Sequence, residues 1–287
     1  MRVKTAAKIN LTLDVTGKLP NGYHTIESVF QTVGLYDEIS VELIEKGIDL
    51  SCEIPKQFAA SDPIPCDERN IAYKAAKLFF EENDMECGCR IHIKKEIPSQ
   101  AGMGGGSTDA AAVLYCLGKL TGKKVSKPEK LGADVPFFLT GGTAYVEGIG
   151  EKITQIADYS GEILVIAKGE GGVSTAQAYG KIDSLIAPKH PETQKLVKTI
   201  ESSPSTAFSY FGNIFEQAVE LAEVDEIKAI MLKNGSLSAV MTGSGSAVFG
   251  LFNSEQQAEI CSTKLRNNGY FSCVCETVPE SFIILEE

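Results

Sequence analysis

No stretch of about 18 consecutive apolar residues occurs in the chain, so the sequence predicts no helical membrane span. Basic charge is scarce: 27 Lys and Arg stand against 38 Asp and Glu, a formal net charge of −11. Duplex binding rests on a basic face that neutralises phosphates, which argues against nucleic acid as the main partner. A polyphosphate small molecule stays open, because a site need only be positive locally. No C-x-x-C occurs among Cys52, Cys66, Cys87, Cys89, Cys116, Cys261, Cys273 and Cys275. The pairs Cys87/Cys89 (with His92 behind them) and Cys273/Cys275 lack zinc spacings, and free thiols are expected. The opening stretch starts basic, but Lys8, Asn10 and Asp14 interrupt it too early for a signal peptide, so a cytoplasmic protein is expected. Internal repeats, low-complexity tracts and a G-x-S-x-G elbow are also missing, and the last absence argues against a serine hydrolase.

What is present suits a globular chain. With 287 residues and 43% hydrophobic content, one large or two ordinary domains are possible. Strand-like alternation or apolar runs occur at Ile9–Val15, Ile39–Ile44, Arg90–Lys95, Gly142–Val146, Ile163–Ala167, Ser238–Met241 and Ala247–Phe252. Helical spacing occurs at Asn70–Asn83, Asp109–Leu120, Asn213–Leu221 and Ser254–Asn267. The mixture lacks regular β-α alternation, which predicts an α+β fold. A domain boundary is expected near Asp158–Gly161.

The strongest local signal runs from Pro98 to Ala112. Four glycines, Gly102, Gly104, Gly105 and Gly106, lie between a strand-like segment and a helical one. Ser107, Thr108 and Asp109 are N-cap candidates. Glycine permits positive φ and lets backbone N–H groups approach a ligand closely. Converging N–H groups at a helix N-terminus make an anion site. The loop is not a P-loop, because no Gly-Lys-Ser/Thr ends it. It is not a dinucleotide fingerprint either, because Ser107 stands where the third glycine belongs.

Two further blocks carry polar groups in apolar surroundings. In Ala7-Lys-Ile-Asn-Leu-Thr-Leu13, Lys8 and Asn10 share one strand face, while Ile9, Leu11 and Leu13 take the other. Taken alone, Lys8 fits a solvated charge. Asp134 lies between Ala133 and Val-Pro-Phe-Phe138, where a carboxylate is either paired or functional. A plain turn before a strand is the alternative.

Together these blocks resemble the GHMP family of small-molecule kinases, nearly end to end. The resemblance rests on Ala7–Leu11, Gly22-Tyr-His24, Asn70–Ala76, Pro98–Ala112, Gly132-Ala-Asp-Val-Pro136 and Thr242-Gly-Ser-Gly-Ser246. It implies a two-domain fold: a ribosomal S5 domain 2-like N-terminal domain over 1–158 and a ferredoxin-like C-terminal domain over 159–287. It implies ATP as donor, with Mg²⁺ or another divalent cation whose ligands stay unassigned. Lys8 and Asp134 are the implied catalytic pair, with Asp134 as general base. The implied ATP loop is Pro98, Ser99, Gln100, Ala101, Gly102, Met103, Gly104, Gly105, Gly106, Ser107 and Thr108, with the two hydroxyls offered to phosphate or metal. Asp109 is a metal contact or a cap, and Asn70 an adenine-side contact.

The Gly22-Tyr-His24 block narrows the implied acceptor to a cytidylyl-diphosphate-linked methylerythritol, phosphorylated at its 2-hydroxyl on the non-mevalonate route to isoprenoids. Tyr23 would then pack on the cytosine, His24 would read its edge, and Tyr179, Phe30 and Asn10 would complete the substrate site. Taken alone, His24 and these aromatics fit a buried core. Two other readings stay open: a GHMP kinase acting on homoserine, mevalonate or a sugar, and a non-catalytic nucleotide-binding protein of the same fold. The implied partners are small molecules, with no nucleic acid or membrane, and the oligomeric state is not specified. One departure is visible. The segment from Leu120 to Leu131 is shorter than the family's, and Pro128 would interrupt a helix there. The lysines at 123, 124, 127 and 130 are expected to form a solvated face.

Overall fold

A computed structural model describes residues 1–55 and 64–287. Two long strands, β1 (Arg2–Lys18) and β2 (His24–Ile44), form its spine, joined through the turn at 19–23. β3 (Ile48–Glu53), α1 (Ile71–Glu82), β4 (Gly88–Lys94) and α2 (Gly105–Thr121) follow. Next come α3 (Val135–Thr140), β5 (Thr143–Gly148), β6 (Lys152–Gln155) and β7 (Ile163–Lys168). The rest is α4 (Thr175–Ile182), α5 (Thr193–Ser202), β8 (Gly212–Asn213), α6 (Ala222–Lys233), β9 (Ser238–Met241), β10 (Val248–Phe252), α7 (Glu255–Asn267), β11 (Phe271–Glu276) and β12 (Phe282–Glu286). The expected mixed α+β content is present.

The first sheet runs β12-β1-β2-β4-β3, with β5 on the other end of β2, β6 on β5, and β8 on β1. The second is antiparallel, in the order β11-β7-β10-β9. Strands of the second sheet span 163–276, while β8 and β12 return from that half of the chain to pair with β1.

β1 alternates as its sequence predicts until a register shift between Asn10 and Thr12. An extra residue at a bulge turns the following side chains to the opposite face. Ala7, Ile9 and Leu11 pack in one core with Val29, Leu164 and Phe249, whereas Leu13 packs in the other with Ile26, Phe30 and Phe138. The expectation that Leu13 shares a face with Ile9 and Leu11 is therefore corrected. The bulge sits beside Asn10 and brings Leu13 into the wall of a cleft.

Two other expectations change. No α-helix forms over Asn213–Leu221: β8 ends at Asn213 and a 3₁₀ turn covers Ile214–Gln217. The Asn213 side chain accepts from Phe215 N and donates to the carbonyls of Met241 and Gly243, and such local side-chain bonding competes with a helix. The alternative reading of Asp134, a turn before a strand, is replaced by a short helix, α3, with Pro136 in its first turn, where a missing N–H costs nothing. In the shortened segment, Pro128–Lys130 form a 3₁₀ turn. Lys123, Lys124, Lys127 and Lys130 are exposed, as expected of a solvated face.

Candidate active site

The glycine loop enters from β4 and ends in α2. Helix α2 begins at Gly105, earlier than expected, with Gly104 at the cap position in the left-handed region (φ 73°). Gly104 has no side-chain oxygen to offer, so the first-turn amides and the dipole of a 17-residue helix face the loop. A Cβ at Gly104 would lie 2.6 Å from the Phe138 ring, and one at Gly102 (φ 73°) would lie 2.2 Å from the Thr242 carbonyl oxygen. Close approach, as well as positive φ, therefore demands glycine at both positions. The loop is tied to β1 by Lys8 N donating to Met103 O at 3.1 Å, and to the 242–246 turn by Ala247 N donating to Ala101 O at 3.3 Å.

Ser107, Thr108 and Asp109 consequently lie inside the helix, and none of them caps it. The Thr108 hydroxyl is fully buried; it donates to Ala6 O at 2.8 Å and contacts the Thr5 hydroxyl at 2.5 Å. It is not available to phosphate or metal. Ser107 is half-buried, and a Cβ on Gly132 would lie 3.6 Å from its Oγ, which puts its hydroxyl beside the Asp134 block. Asp109 is buried against Lys95, with Nζ 2.7 Å from Oδ2. Burial pushes its carboxyl up, against the pull of Lys95. Lys95 also bonds Asp37, which accepts the amides of Glu96 and Ile97. Asp109 thus braces the loop from behind and does not line the cleft. Asn70 accepts from Ala72 N as the cap of α1 and donates to Pro65 O at 2.8 Å, so its amide is already bonded on both sides.

A cleft of about 820 Å³ opens in front of the loop. Lys8, Asn10, Phe30, Gly102, Gly104 and Asp134 line one end, and Tyr23, His24, Tyr179 and Asp183 the other. Lys8 is 4% exposed; its Nζ lies 3.9 Å from Asp134 Oδ2, donates to Asn10 Oδ1 at 2.7 Å and sits 4.6 Å from the centre of the Phe30 ring. Burial lowers the Lys8 pKa and Asp134 opposes the shift. Lysine and carboxylate are thus too far apart for a direct hydrogen bond but close enough to feel each other's charge. That spacing leaves an acceptor hydroxyl room to meet both groups.

Asn10 is a hub. Its Oδ1 also accepts from Gly243 N at 2.9 Å and Thr242 Oγ1 at 3.2 Å, and its Nδ2 donates to Ser28 Oγ at 3.0 Å. It joins β1 to the 242–246 turn, a position that leaves its side chain little capacity for a polyol. Phe30 is 2% exposed and packs edge-on against Phe137 at 5.2 Å, so it forms the floor under Lys8.

At the other end Tyr23 is 61% exposed beside the turn. The His24 ring stacks on Tyr179 with centroids 4.8 Å apart, and Tyr179 meets the edge of Phe215 at 4.9 Å. Burial, with Asp134 adding, pushes the Tyr179 phenol up to about 12, so it stays neutral. His24 Nε2 lies 2.7 Å from Asp183 Oδ1, and Lys18 Nζ lies 2.5 Å from Asp183 Oδ2. Sequence reasoning missed Asp183; its place four residues after Tyr179 was the available signal. All eight cysteines are free thiols, and no metal-holding group of three His, Cys, Asp or Glu occurs among the described residues.

Known proteins match this arrangement along most of the chain. The GHMP kinases N terminal domain family matches residues 70–142, and the GHMP kinases C terminal family residues 203–270. The 4-diphosphocytidyl-2-C-methyl-D-erythritol kinase of Clostridium acetobutylicum is 40% identical over 268 residues, 90% of this chain and 93% of that protein. The protein of the same name from Clostridium botulinum strain Eklund 17B is 41% identical over 93% of this chain and 96% of its own. A solved 4-(cytidine 5'-diphospho)-2C-methyl-D-erythritol kinase superposes with a TM-score of 0.80 at 29% identity, covering 97% of this chain and 100% of that one. Homoserine kinase from Cytophaga hutchinsonii, at 19% identity and a TM-score of 0.75, shares the fold. The chain belongs to the GHMP kinase family, among the relatives of its 4-diphosphocytidyl-2-C-methyl-D-erythritol kinases.

Proposed function

We propose that the protein transfers the γ-phosphoryl group of ATP to the 2-hydroxyl of 4-diphosphocytidyl-2-C-methyl-D-erythritol, a step of non-mevalonate isoprenoid synthesis. The observation that carries this reading is the 3.9 Å approach of Lys8 to Asp134 across the cleft, beside a glycine loop with an uncapped helix N-terminus. Phosphoryl transfer needs positioning, charge stabilisation and a destination for the acceptor's proton. The loop amides from Gly102 to Ser107 grip the triphosphate. Asp134 takes the proton from the 2-hydroxyl. Lys8 is poorly solvated, and the arriving phosphates favour its charged form. It holds the attacking oxygen and the transferring group together. Asn10 fixes the lysine and the 242–246 turn around them.

A divalent cation fits as one that arrives on the phosphates, since Mg²⁺ usually keeps its waters and few protein ligands. Ser107 would be the loop hydroxyl to hold it, since Thr108 and Asp109 are committed elsewhere. Bound there, the ion would neutralise charge on the transferring phosphoryl group. The base end favours a cytidylyl substrate over homoserine or mevalonate, because those acceptors have no ring to meet Tyr23, His24 and Tyr179. We divide the chain at 158/159: the first part carries the loop, Lys8 and Asp134, and the second carries Tyr179 and the 242–246 turn. The free thiols fit a reducing cytoplasm.

A coupled ADP-release assay with 4-diphosphocytidyl-2-C-methyl-D-erythritol, homoserine and mevalonate tests the assignment. Wild type should turn over the first alone. Asp134→Asn should lower kcat roughly 10²- to 10⁴-fold with ATP affinity unchanged. Near-normal kcat in that variant would remove Asp134 from the chemistry.

A further inference from the structure

Three separate stretches of chain converge at the base end of the cleft. Lys18 and His24 are cross-strand partners at the ends of β1 and β2. Tyr179 lies in α4, and Asp183 follows as its C-cap, so the two residues are four apart and project from one helix face. Tyr179 lies flat on the His24 ring, while the two Asp183 oxygens divide their work: Oδ1 meets His24 Nε2 and Oδ2 meets Lys18 Nζ. The His24 side chain is 9% exposed, so stacking and ion pairing together hold the ring in one orientation. Hydrogen bonds from Lys18 first, and His24 second, hold the Asp183 carboxyl below the usual range, so it is ionised and can only accept.

We propose that Asp183 is a positioning residue that locks the tautomer of His24, and thereby makes the base end of the cleft select a ring amino group over a ring carbonyl. A neutral imidazole carries one proton, and a carboxylate at Nε2 places it there. Nδ1 is then an acceptor with no hydrogen bond to the described residues, on a ring that lines the cleft. Cytosine presents a 4-amino donor and uracil a 4-carbonyl acceptor, so only cytosine complements that nitrogen. The inference rests on the cytidylyl reading above and adds to it the group that sets the discrimination.

Lys18 makes the test sharp. Its ammonium has donors only. In Asp183→Asn the amide oxygen must therefore turn to Lys18, which aims the NH₂ at His24 Nε2. That forces the proton to Nδ1 and converts the cleft-facing nitrogen into a donor. Removing Lys18 as well frees the amide to turn its oxygen back to His24.

The experiment combines ¹⁵N NMR of the three histidines in the full chain, assigned with His92→Gln and His190→Gln, with kcat/KM for the cytidylyl substrate and its uridylyl analogue. Wild type should show the Nε2–H tautomer at His24. Asp183→Asn should show Nδ1–H and lower the cytidylyl-to-uridylyl ratio roughly 10- to 100-fold, mostly through KM. Lys18→Met/Asp183→Asn should return the Nε2–H signature. Asp183 is at the surface, and unchanged thermal melting will separate this effect from misfolding. An Nδ1–H tautomer in wild type, or an unchanged ratio in Asp183→Asn, overturns the lock. If wild type phosphorylates neither substrate, the functional reading fails, and with it the selection; the tautomer signals then report on the clamp alone.

Discussion

The two ends of the cleft are built on opposite plans. At the phosphoryl end, Lys8, Asn10 and Phe30 sit on the interior of the long β1–β2 ladder, and the glycine loop presses backbone on backbone against the 242–246 turn. Lys8, Asn10 and Phe30 cannot shift without moving a core. At the base end, an exposed Tyr23 and the Lys18–Asp183–His24 cluster lie at a strand turn and a helix terminus. On the function proposed above, chemistry that tolerates little misplacement is put on rigid elements, whereas recognition of a ring is left to side chains that meet at the rim. Substitutions at the first end should therefore act on kcat or on folding, and those at the second on KM.

Lys8→Met gives the largest expected effect, and a divided one. Turnover should fall roughly 10²- to 10⁴-fold, while stability rises because a desolvated charge is removed from the core. Burial lowers the folded pKa of Lys8 beneath its ordinary 10.5, so the unfolded chain holds more protons in that window and wild-type stability climbs as pH rises through it. The advantage of the Met variant should thus be widest near neutral pH and shrink toward pH 10, as read by urea denaturation. An advantage that grows with pH would contradict the burial argument.

Gly102→Ala comes next. Positive φ and a Cβ placed 2.2 Å from the Thr242 carbonyl should cost about 2–4 kcal/mol of stability, with a raised KM for ATP in whatever folds. A wild-type melting temperature would show that the loop does not pack on that turn.

The smallest effects belong to the rim. Tyr179→Ala removes both the stacking partner of His24 and an edge contact with Phe215, and should raise KM for the cytidylyl substrate roughly tenfold at constant kcat. Tyr23→Ala, at an exposed position, should raise it only severalfold and leave melting unchanged. A larger fall in kcat than in substrate affinity for either variant would erase the contrast between the two ends.

Much of the phosphoryl end was legible in the sequence. Gly102 and Gly104 stand where only glycine fits, and that requirement is written in consecutive residues. Lys8 and Asn10 two apart on one strand face, and Asp134 amid apolar neighbours, were likewise visible. The resemblance added the roles proposed for them, which residue patterns alone did not supply. The helical spacing that suggested a helix at Asn213–Leu221 misled because one asparagine side chain took the local hydrogen bonds instead.

By itself the sequence determined the mixed fold, most strands, and the existence of a glycine loop at a helix start, since periodicity and backbone permission are local properties. Tertiary structure alone decided that Leu13 turns into the cleft at a bulge, and that Thr108 is spent on β1. It alone paired Asp109 with Lys95 and brought Asp183, 159 positions away, to His24. Such pairings depend on where distant strands and helices come to rest, and contact between remote residues leaves no periodic mark in a single chain.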